Sequence, residues 1–305
     1  MLQSKPMVSY AQNREDVVLD RALHASTGFY VDVGAASPTV ASVTRHFYEL
    51  GWSGINIEPL PEYVAELRLE RPRDQTIQAV AGASPGQGVL QLVERDHDLS
   101  TMDPRRVDAL ATRGEGTTPL AVDVVTLDDV LDASQPATID FLKIDVEGAE
   151  RDVLLGIDLR RWRPRVLIVE ATAPDTQIRN HAGWEDLVVE RGYLYASFDG
   201  INRYYVPEEH ASLIDLLGPA SVLDEFVPAS QQLIDEELER LRAQNDHVEL
   251  EIALKDQELE RLSAYIAHLE TELARKEEHI GATAEYVRQL ERDRHGPAAA
   301  APPIG

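Results

Sequence analysis

The chain has no cysteine among its 305 residues. That excludes disulfides, thiolate metal sites and a cysteine nucleophile. No apolar run approaches the roughly 18–20 residues that a membrane span needs. The opening MLQSKPMVSYAQ lacks the apolar stretch of a signal peptide, so a cytoplasmic location is expected. Positive charge is scarce. Lys and Arg number 29 against 54 Asp and Glu, a formal net charge of -25. That surplus opposes binding to a phosphate backbone or to an anionic membrane surface, so no nucleic-acid partner is expected. The acidity is spread along the chain: residues 1–230 carry 37 acidic and 20 basic side chains, and residues 231–305 carry 17 and 9. Compact metal motifs are missing too, with no H-x-E-H, paired Cys/His or D-x-D-x-D-G cluster. The default expectation is therefore no bound metal.

What is present is a set of apolar β-runs that each end in an acidic residue. They are FYVDVGAAS at Phe29–Ser37, GINIEP at Gly54–Pro59 and FLKIDVEGAE at Phe141–Glu150. In an open α/β sheet, ligands sit at the carboxyl ends of the strands. Gly34, Ala35 and Ala36 are small enough to let a ligand approach the backbone, and Ser37 is grouped with them as a binding candidate. The pattern is not G-x-G-x-x-G, so a dinucleotide cradle is incomplete. Asp32 before the glycine suits a cationic ligand better than a diphosphate. Glu58, at the end of the next strand, is placed to accept both hydroxyls of a ribose. Asp145 and Glu147 follow the FLKI run, and Glu170 ends RVLIVEA; each is a candidate base or orienter, or else a helix cap. These three carboxylates could also gather a divalent ion. His181, His97 and His210 are weaker candidate bases, and Trp52 and Trp184 read as packing residues.

Strands alternate with helical patterns, which implies a mostly parallel sheet. SYAQ reads as a capping box with Ser9 as N-cap and Gln12 three residues on, opening a helix to about Ala25. Further helices are expected at about Thr39–Leu50 and Pro61–Leu69, and a third strand near Thr76–Val80. The polar stretch Asp96–Thr118 reads as a mobile loop and lid. Tyr193–Val206 reads as a hairpin turning at Asp199–Gly200.

The segments SYAQNRED, VDVGA, GWSGINIEP, LST, FLKIDVEGAE, VEAT and NRYYVP, from about Ser9 to about Phe226, together resemble the FkbM family of S-adenosylmethionine-dependent O-methyltransferases. The resemblance implies a Rossmann-like class I methyltransferase: α/β, with a mostly parallel seven-stranded sheet and helices on both faces. It implies S-adenosylmethionine as cofactor, contacted by Asp32, Gly34 and Glu58, with Asp145 beside the methyl group. It implies a hydroxyl acceptor, with Asn202, Arg203 and Tyr204 as part of its wall. A sugar in a surface glycan or glycolipid is the expected acceptor by analogy. The alternatives are a macrolide-type natural product as acceptor, a nicotinamide-dependent oxidoreductase, and a coiled-coil scaffold without activity.

The methyltransferase domain is expected over 1–228, a coiled coil over 229–293 and a disordered tail over 294–305. From Ile234 to Leu290, apolar residues recur at spacings of four and three. This is about eight heptads, or roughly 85 Å at 1.5 Å per residue. Leu238, Asn245, Ile252, Leu259, Ile266, Leu273, Ile280 and Val287 fall at a; Leu241, Val248, Leu262, Leu269 and Leu290 fall at d. β-branched residues at a with leucine at d favour a parallel two-stranded coil, and Asn245 sets register. A homodimer through 234–290 is the expectation. A more basic helix on a partner, for instance a glycosyltransferase, is the alternative.

Overall fold

The computed structural model describes residues 6–95, 97–173, 176–294 and 296. The chain divides into two compact units, the first running to Leu233 and the second from Ile234 onward. The first unit opens with β1 (Met7–Ser9), α1 (Glu15–Leu23), β2 (Phe29–Val33), α2 (Arg45–Glu49), β3 (Ser53–Glu58), α3 (Pro61–Glu70) and β4 (Gln75–Gln78). An excursion follows: β5 (Val80–Ala81), β6 (Gly86–Val93), α4 (Pro104–Thr112) and β7 (Thr117–Val125). The chain then returns through α5 (Leu127–Ser134), β8 (Phe141–Ile144), α6 (Glu150–Leu155), α7 (Leu159–Trp162) and β9 (Val166–Glu170). It closes with α8 (Glu185–Val189), β10 (Tyr193–Phe198), β11 (Asn202–Pro207) and β12 (Phe226–Pro228).

Seven strands form the main sheet, in the order β10-β11-β9-β8-β2-β3-β4. The sheet is mixed. Neighbours from β4 to β9 pair in parallel, and β11 is antiparallel to both β9 and β10. The expected closing hairpin is therefore present at one edge. β5, β7 and β6 form a separate three-stranded sheet, and β1 pairs in parallel with β12. Alternation sorts the side chains to two cores. Val31, Val33, Ile55, Leu142, Ile144, Leu167 and Val169 face α5, α6 and α8. Tyr30, Phe141, Val166, Ile168 and Tyr204 face α1 and α2. Helices thus cover both faces. Each buried aliphatic or aromatic side chain contributes about 1.5–3 kcal/mol, which holds β8 and β9 as near-continuous apolar strands.

Four expectations are corrected. Ser9 is not a helix cap: it lies in β1, and its hydroxyl donates to Asp16 Oδ1 at 2.7 Å. Asp16 closes the turn instead, also accepting from the backbone of Tyr10 and Ala11 at 2.7 and 3.2 Å. The helix expected over Thr39–Leu50 is only Arg45–Glu49, because the preceding residues form a loop with Ala36 and Ala41 at positive φ. The strand expected at Thr76–Val80 splits, as Val80 and Ala81 leave the main sheet to pair with Val124 and Val125. Within 96–118, the described residues carry a 3₁₀ turn at His97–Leu99, α4 and the start of β7. The polar surface of α4 hid an apolar stripe that buries Leu110.

In the second unit, a 66-residue helix, α9 (Ala229–Arg294), carries the heptads. Every a and d apolar residue is exposed, from 43% at Leu238 to 66% at Ile280. Among the described residues no helix is long and apolar enough to cross a membrane. The tail expected over 294–305 lies outside the described residues except for Arg294 and Gly296.

Candidate active site

On the α1 face, the strands turn from apolar to polar in their last residues. Side chains two apart share a face. Thus Tyr30 is followed there by Asp32, Phe141 by Lys143 and Ile168 by Glu170, while in the reversed β11 Asn202 precedes Tyr204. Asp32 sits opposite Lys143, and Glu170 opposite Asn202. All four are buried, at 2, 7, 6 and 1% exposure respectively. A cavity of about 180 Å³ opens at these strand ends.

One side of the cavity belongs to β2 and β3. Gly34 adopts φ +80, and a Cβ there would lie 1.9 Å from the Asp145 carbonyl oxygen, so only glycine lets the two turns meet. Its N–H donates to the Ile57 carbonyl at 3.0 Å, tying the turn to β3. Glu58 lines the cavity with both oxygens engaged: Oε2 accepts from Ala36 N at 2.9 Å and Oε1 from Leu60 N at 2.8 Å. Asp32 Oδ2 accepts from the Thr44 hydroxyl at 3.1 Å. Its Oδ1 is enclosed and has no partner among the described residues. Burial raises the Asp32 pKa, opposed by Lys143 and Arg71. Arg71 is itself buried and fixes the 38–44 loop, donating to Ser42 Oγ and Thr44 Oγ1 at 2.6 Å each and to the Pro38 carbonyl.

The candidate Ser37 stands apart from this group. Its hydroxyl accepts from Thr39 N and Val40 N at 3.3 and 3.2 Å, and it does not line the cavity, whereas Asp32, Gly34, Ala35 and Glu58 do.

The other side belongs to β8 and β9. Asp145 and Glu147 line the cavity; Glu170 lies beside them without lining it. Each offers a carboxylate oxygen within 4.8 Å of the other two. Lys143 Nζ donates to Asp145 Oδ2 at 3.0 Å. Burial opposes the Lys143 charge, but Asp145 and Asp32 outweigh it and raise its pKa above the ordinary range. Glu147 sits at φ +54, held by Arg106 Nη1 on its Oε2 at 2.7 Å and by the Thr101 hydroxyl on its carbonyl at 2.9 Å. No donor among the described residues reaches Glu170 Oε2. Burial, then Asp145 and Glu147, push the Glu170 pKa far up. Glu150, behind them, is pushed by burial to about 7.

The remaining candidates lie at the margins. His97 lines the cavity, with Nδ1 3.3 Å from Glu62. His181 lies 3.9 Å from Glu185, its pKa lowered by burial and by Arg203. His210 lies in a 3₁₀ stretch outside the cavity lining. Arg203 and Tyr205 both engage Glu185, and the Tyr204 hydroxyl donates to Asp199 at 2.8 Å. Trp52 and Trp184 are buried, which suits packing. Lys143, Arg71 and Arg106 have no role in the sequence reading, and Thr101 enters it only as the last residue of the LST segment. A visible signal existed for Lys143 alone, a lone cation inside an apolar strand.

A parallel-rich α/β sheet with its cavity at the strand ends defines a Rossmann-like ligand-binding fold. Residues 32–195 match the family described as the Methyltransferase FkbM domain, more than half of the chain. The chain belongs to that family: it is a methyltransferase, and S-adenosylmethionine is its cofactor. The residues present fit that group, since Asp32 offers an unpaired buried oxygen to a cation and the Gly34 turn bares its backbone. No curated protein matches the chain. Among solved structures, it is similar to a TehB-like SAM-dependent methyltransferase from Corynebacterium glutamicum, with 9% identity, 64% of this chain and 88% of that one covered, and TM-score 0.35. It is also similar to precorrin-6y C5,15-methyltransferase from Geobacter metallireducens, with 13% identity, 67% and 91% covered, and TM-score 0.37. A third is CalO1, a methyltransferase in calicheamicin biosynthesis solved in its SAH-bound form, with 17% identity, 63% and 53% covered, and TM-score 0.31. At these scores no residue role is carried over.

Proposed function

We propose that the protein is an O-methyltransferase that methylates a sugar hydroxyl in a glycan or glycolipid acceptor. The observation that supports this most is the trio Asp145, Glu147 and Glu170 beside the cofactor cavity. Bound S-adenosylmethionine supplies an electrophilic methyl carbon. In this reading Asp32, Gly34 and Ala35 hold the amino-acid end of the cofactor and Glu58 its ribose. A carboxylate oxygen has two lone pairs, so Glu58 can accept from a ribose hydroxyl as well as from the backbone.

A sugar hydroxyl ionises far above neutral pH, so a base must take its proton as the new C–O bond forms. Asp145 is that base, oriented by Lys143 on its Oδ2. Neighbouring sugar hydroxyls would donate to Glu147, which Arg106 holds in place. Holding the hydroxyl in line with the methyl group contributes several kcal/mol, about 7 or more in the best intramolecular cases. The test measures S-adenosylhomocysteine release over a panel of oligosaccharides and their deoxy analogues. Turnover that vanishes when one hydroxyl is removed supports the reading; turnover independent of any hydroxyl overturns it.

We also propose that α9 pairs with a second copy of itself. A seam of apolar a and d residues, each at least 43% exposed in the single chain, has a partner of matching length and register in its own copy. Like charges meet at Glu251 with Asp256 and at Glu272 with Glu277. Each such pair costs only about 0.2–0.5 kcal/mol, less than burying the seam contributes. Sedimentation of the full chain as a dimer supports this, and a full-length monomer at micromolar concentration overturns it.

A further inference from the structure

We propose that Asp145, Glu147 and Glu170 together hold a divalent cation at the edge of the cavity. The inference rests on the methyltransferase reading for its purpose, not for its geometry. The three carboxylates come from two strand ends: Asp145 and Glu147 from the turn after β8, and Glu170 from the last residue of β9. Adjacent parallel strands therefore build the cluster, not a single loop. Their oxygens lie within 4.8 Å of one another. Opposite ligands of one hard cation, at bonds of about 2.3–2.6 Å, are separated by about the same distance.

A second observation points the same way. Glu170 is 6% exposed, and no donor among the described residues reaches its enclosed Oε2. Across the strand pair, Asn202 is opposite Glu170 and on the same face, and its amide oxygen is likewise enclosed without a partner. Buried oxygens in folded proteins are nearly always paired, so two orphans at one height on one face call for a partner that brings positive charge, a cation or a proton on Glu170, and the test below separates the two. Protein cations are already committed elsewhere. Lys143 takes an oxygen of Asp145, and Arg106 takes an oxygen of Glu147. Neither is bonded to Glu170, so its carboxyl group is the one of the three that no protein cation matches.

The donor set selects the ion. It is all oxygen, with no imidazole or sulfur, which favours Mg²⁺, Mn²⁺ or Ca²⁺ over zinc or copper. The cation would stand beside the cavity, give an acceptor hydroxyl an oxygen-seeking seat next to the methyl group and lower that hydroxyl's pKa, so that Asp145, a weaker base when it is a ligand, could still take the proton.

The test uses the full-length chain after treatment with EDTA, with Mn²⁺ as the probe, read by electron paramagnetic resonance and by calorimetry, with and without S-adenosylhomocysteine. A net charge of -25 ensures weak diffuse binding, so the readout is one saturable site above that background. The expected result is one such site per chain, weakened tenfold or more in Glu170→Gln. Glu147→Gln, at a less buried position, is expected to do the same and guards against misfolding of the first variant. S-adenosylhomocysteine affinity in both variants stays within threefold. No saturable site in the wild type, or an unchanged one in both variants, overturns the cation site. If S-adenosylhomocysteine still binds in that case, the methyltransferase reading survives the loss.

Discussion

The two sides of the cavity solve the same problem in opposite ways. On the β3 side, Glu58 ends its strand with both oxygens bonded to backbone N–H groups, Ala36 in the turn after β2 and Leu60 in the turn after β3. On the β9 side, Glu170 ends its strand equally buried, with an enclosed oxygen that no described donor reaches. The β3 side satisfies Glu58 from the protein alone, while Asp32 beside it keeps one enclosed oxygen without a partner among the described residues. The β9 side gathers the carboxyl groups of Asp145, Glu147, Glu150 and Glu170 around Lys143 and Arg106, more than the local cations can pair, and burial raises the pKa of Glu150 and Glu170. Such an arrangement is poorly explained by stability, because burying Glu170 with one enclosed oxygen unpartnered among the described residues costs free energy. It is the arrangement expected where an acceptor, a proton or a cation is to be received.

That contrast can be broken from either side. The largest effect is expected at Asp145. Asp145→Asn should lower kcat by about 10²–10⁴ if its carboxylate takes the proton, with S-adenosylhomocysteine affinity nearly unchanged. Steady-state kinetics alongside calorimetry reads both, and turnover within a few-fold of wild type would remove Asp145 from the chemistry. Next is Lys143→Met, which leaves Asp32 and Asp145 without their shared buried cation. Breaking such a pair costs about 3–5 kcal/mol. Urea unfolding at neutral pH should show it, with the loss shrinking as the pH is lowered and the carboxylates protonate.

Glu58→Ala tests the β3 side. Loss of a charged hydrogen bond to the ribose should weaken S-adenosylhomocysteine binding by about 1.5–3 kcal/mol. Because Glu58 also holds Ala36 and Leu60, a small fall in stability should accompany it. An unchanged affinity would detach Glu58 from the cofactor.

An effect confined to one pH window separates this site from its flank. Glu15 in α1 is buried, bonded by Asn202 at 2.8 Å, and burial pushes its pKa from 4.5 to about 7. A carboxyl raised by folding stabilises the protein below its unfolded pKa, and that contribution is lost as the pH rises to about 7. The difference in unfolding free energy between Glu15→Gln and wild type, followed across that window, should therefore move in favour of the variant as pH rises. A flat difference would mean that Glu15 titrates normally.

The parts of this site that were legible in sequence share one property: a charge that abruptly ends an apolar strand. Asp32, Glu58, Asp145 and Glu170 each do so, and the heptads of α9 are visible for the same reason, as a break from random spacing. Arg71, Thr101 and Arg106 have no such contrast. They sit among other polar residues, and only tertiary pairing distinguishes them from solvated side chains. The 38–44 loop carries a helix-like pattern yet is not helical, because its polar groups are satisfied by Arg71, which lies 29 positions from Ser42. The split of Thr76–Val80 between two sheets was hidden similarly, since a run of strand-forming residues does not say which partner each will take.

Where the methyl group goes tests the account most directly. The wild-type chain is supplied with S-adenosylmethionine labelled with ¹³C at the methyl carbon and with the oligosaccharide that gives the highest turnover, and the product is examined by NMR. The account predicts one labelled methyl ether, correlated to a single ring position, and no ether when Asp145→Asn is used. Label on nitrogen or carbon, or an ether that Asp145→Asn forms at the wild-type rate, would contradict it.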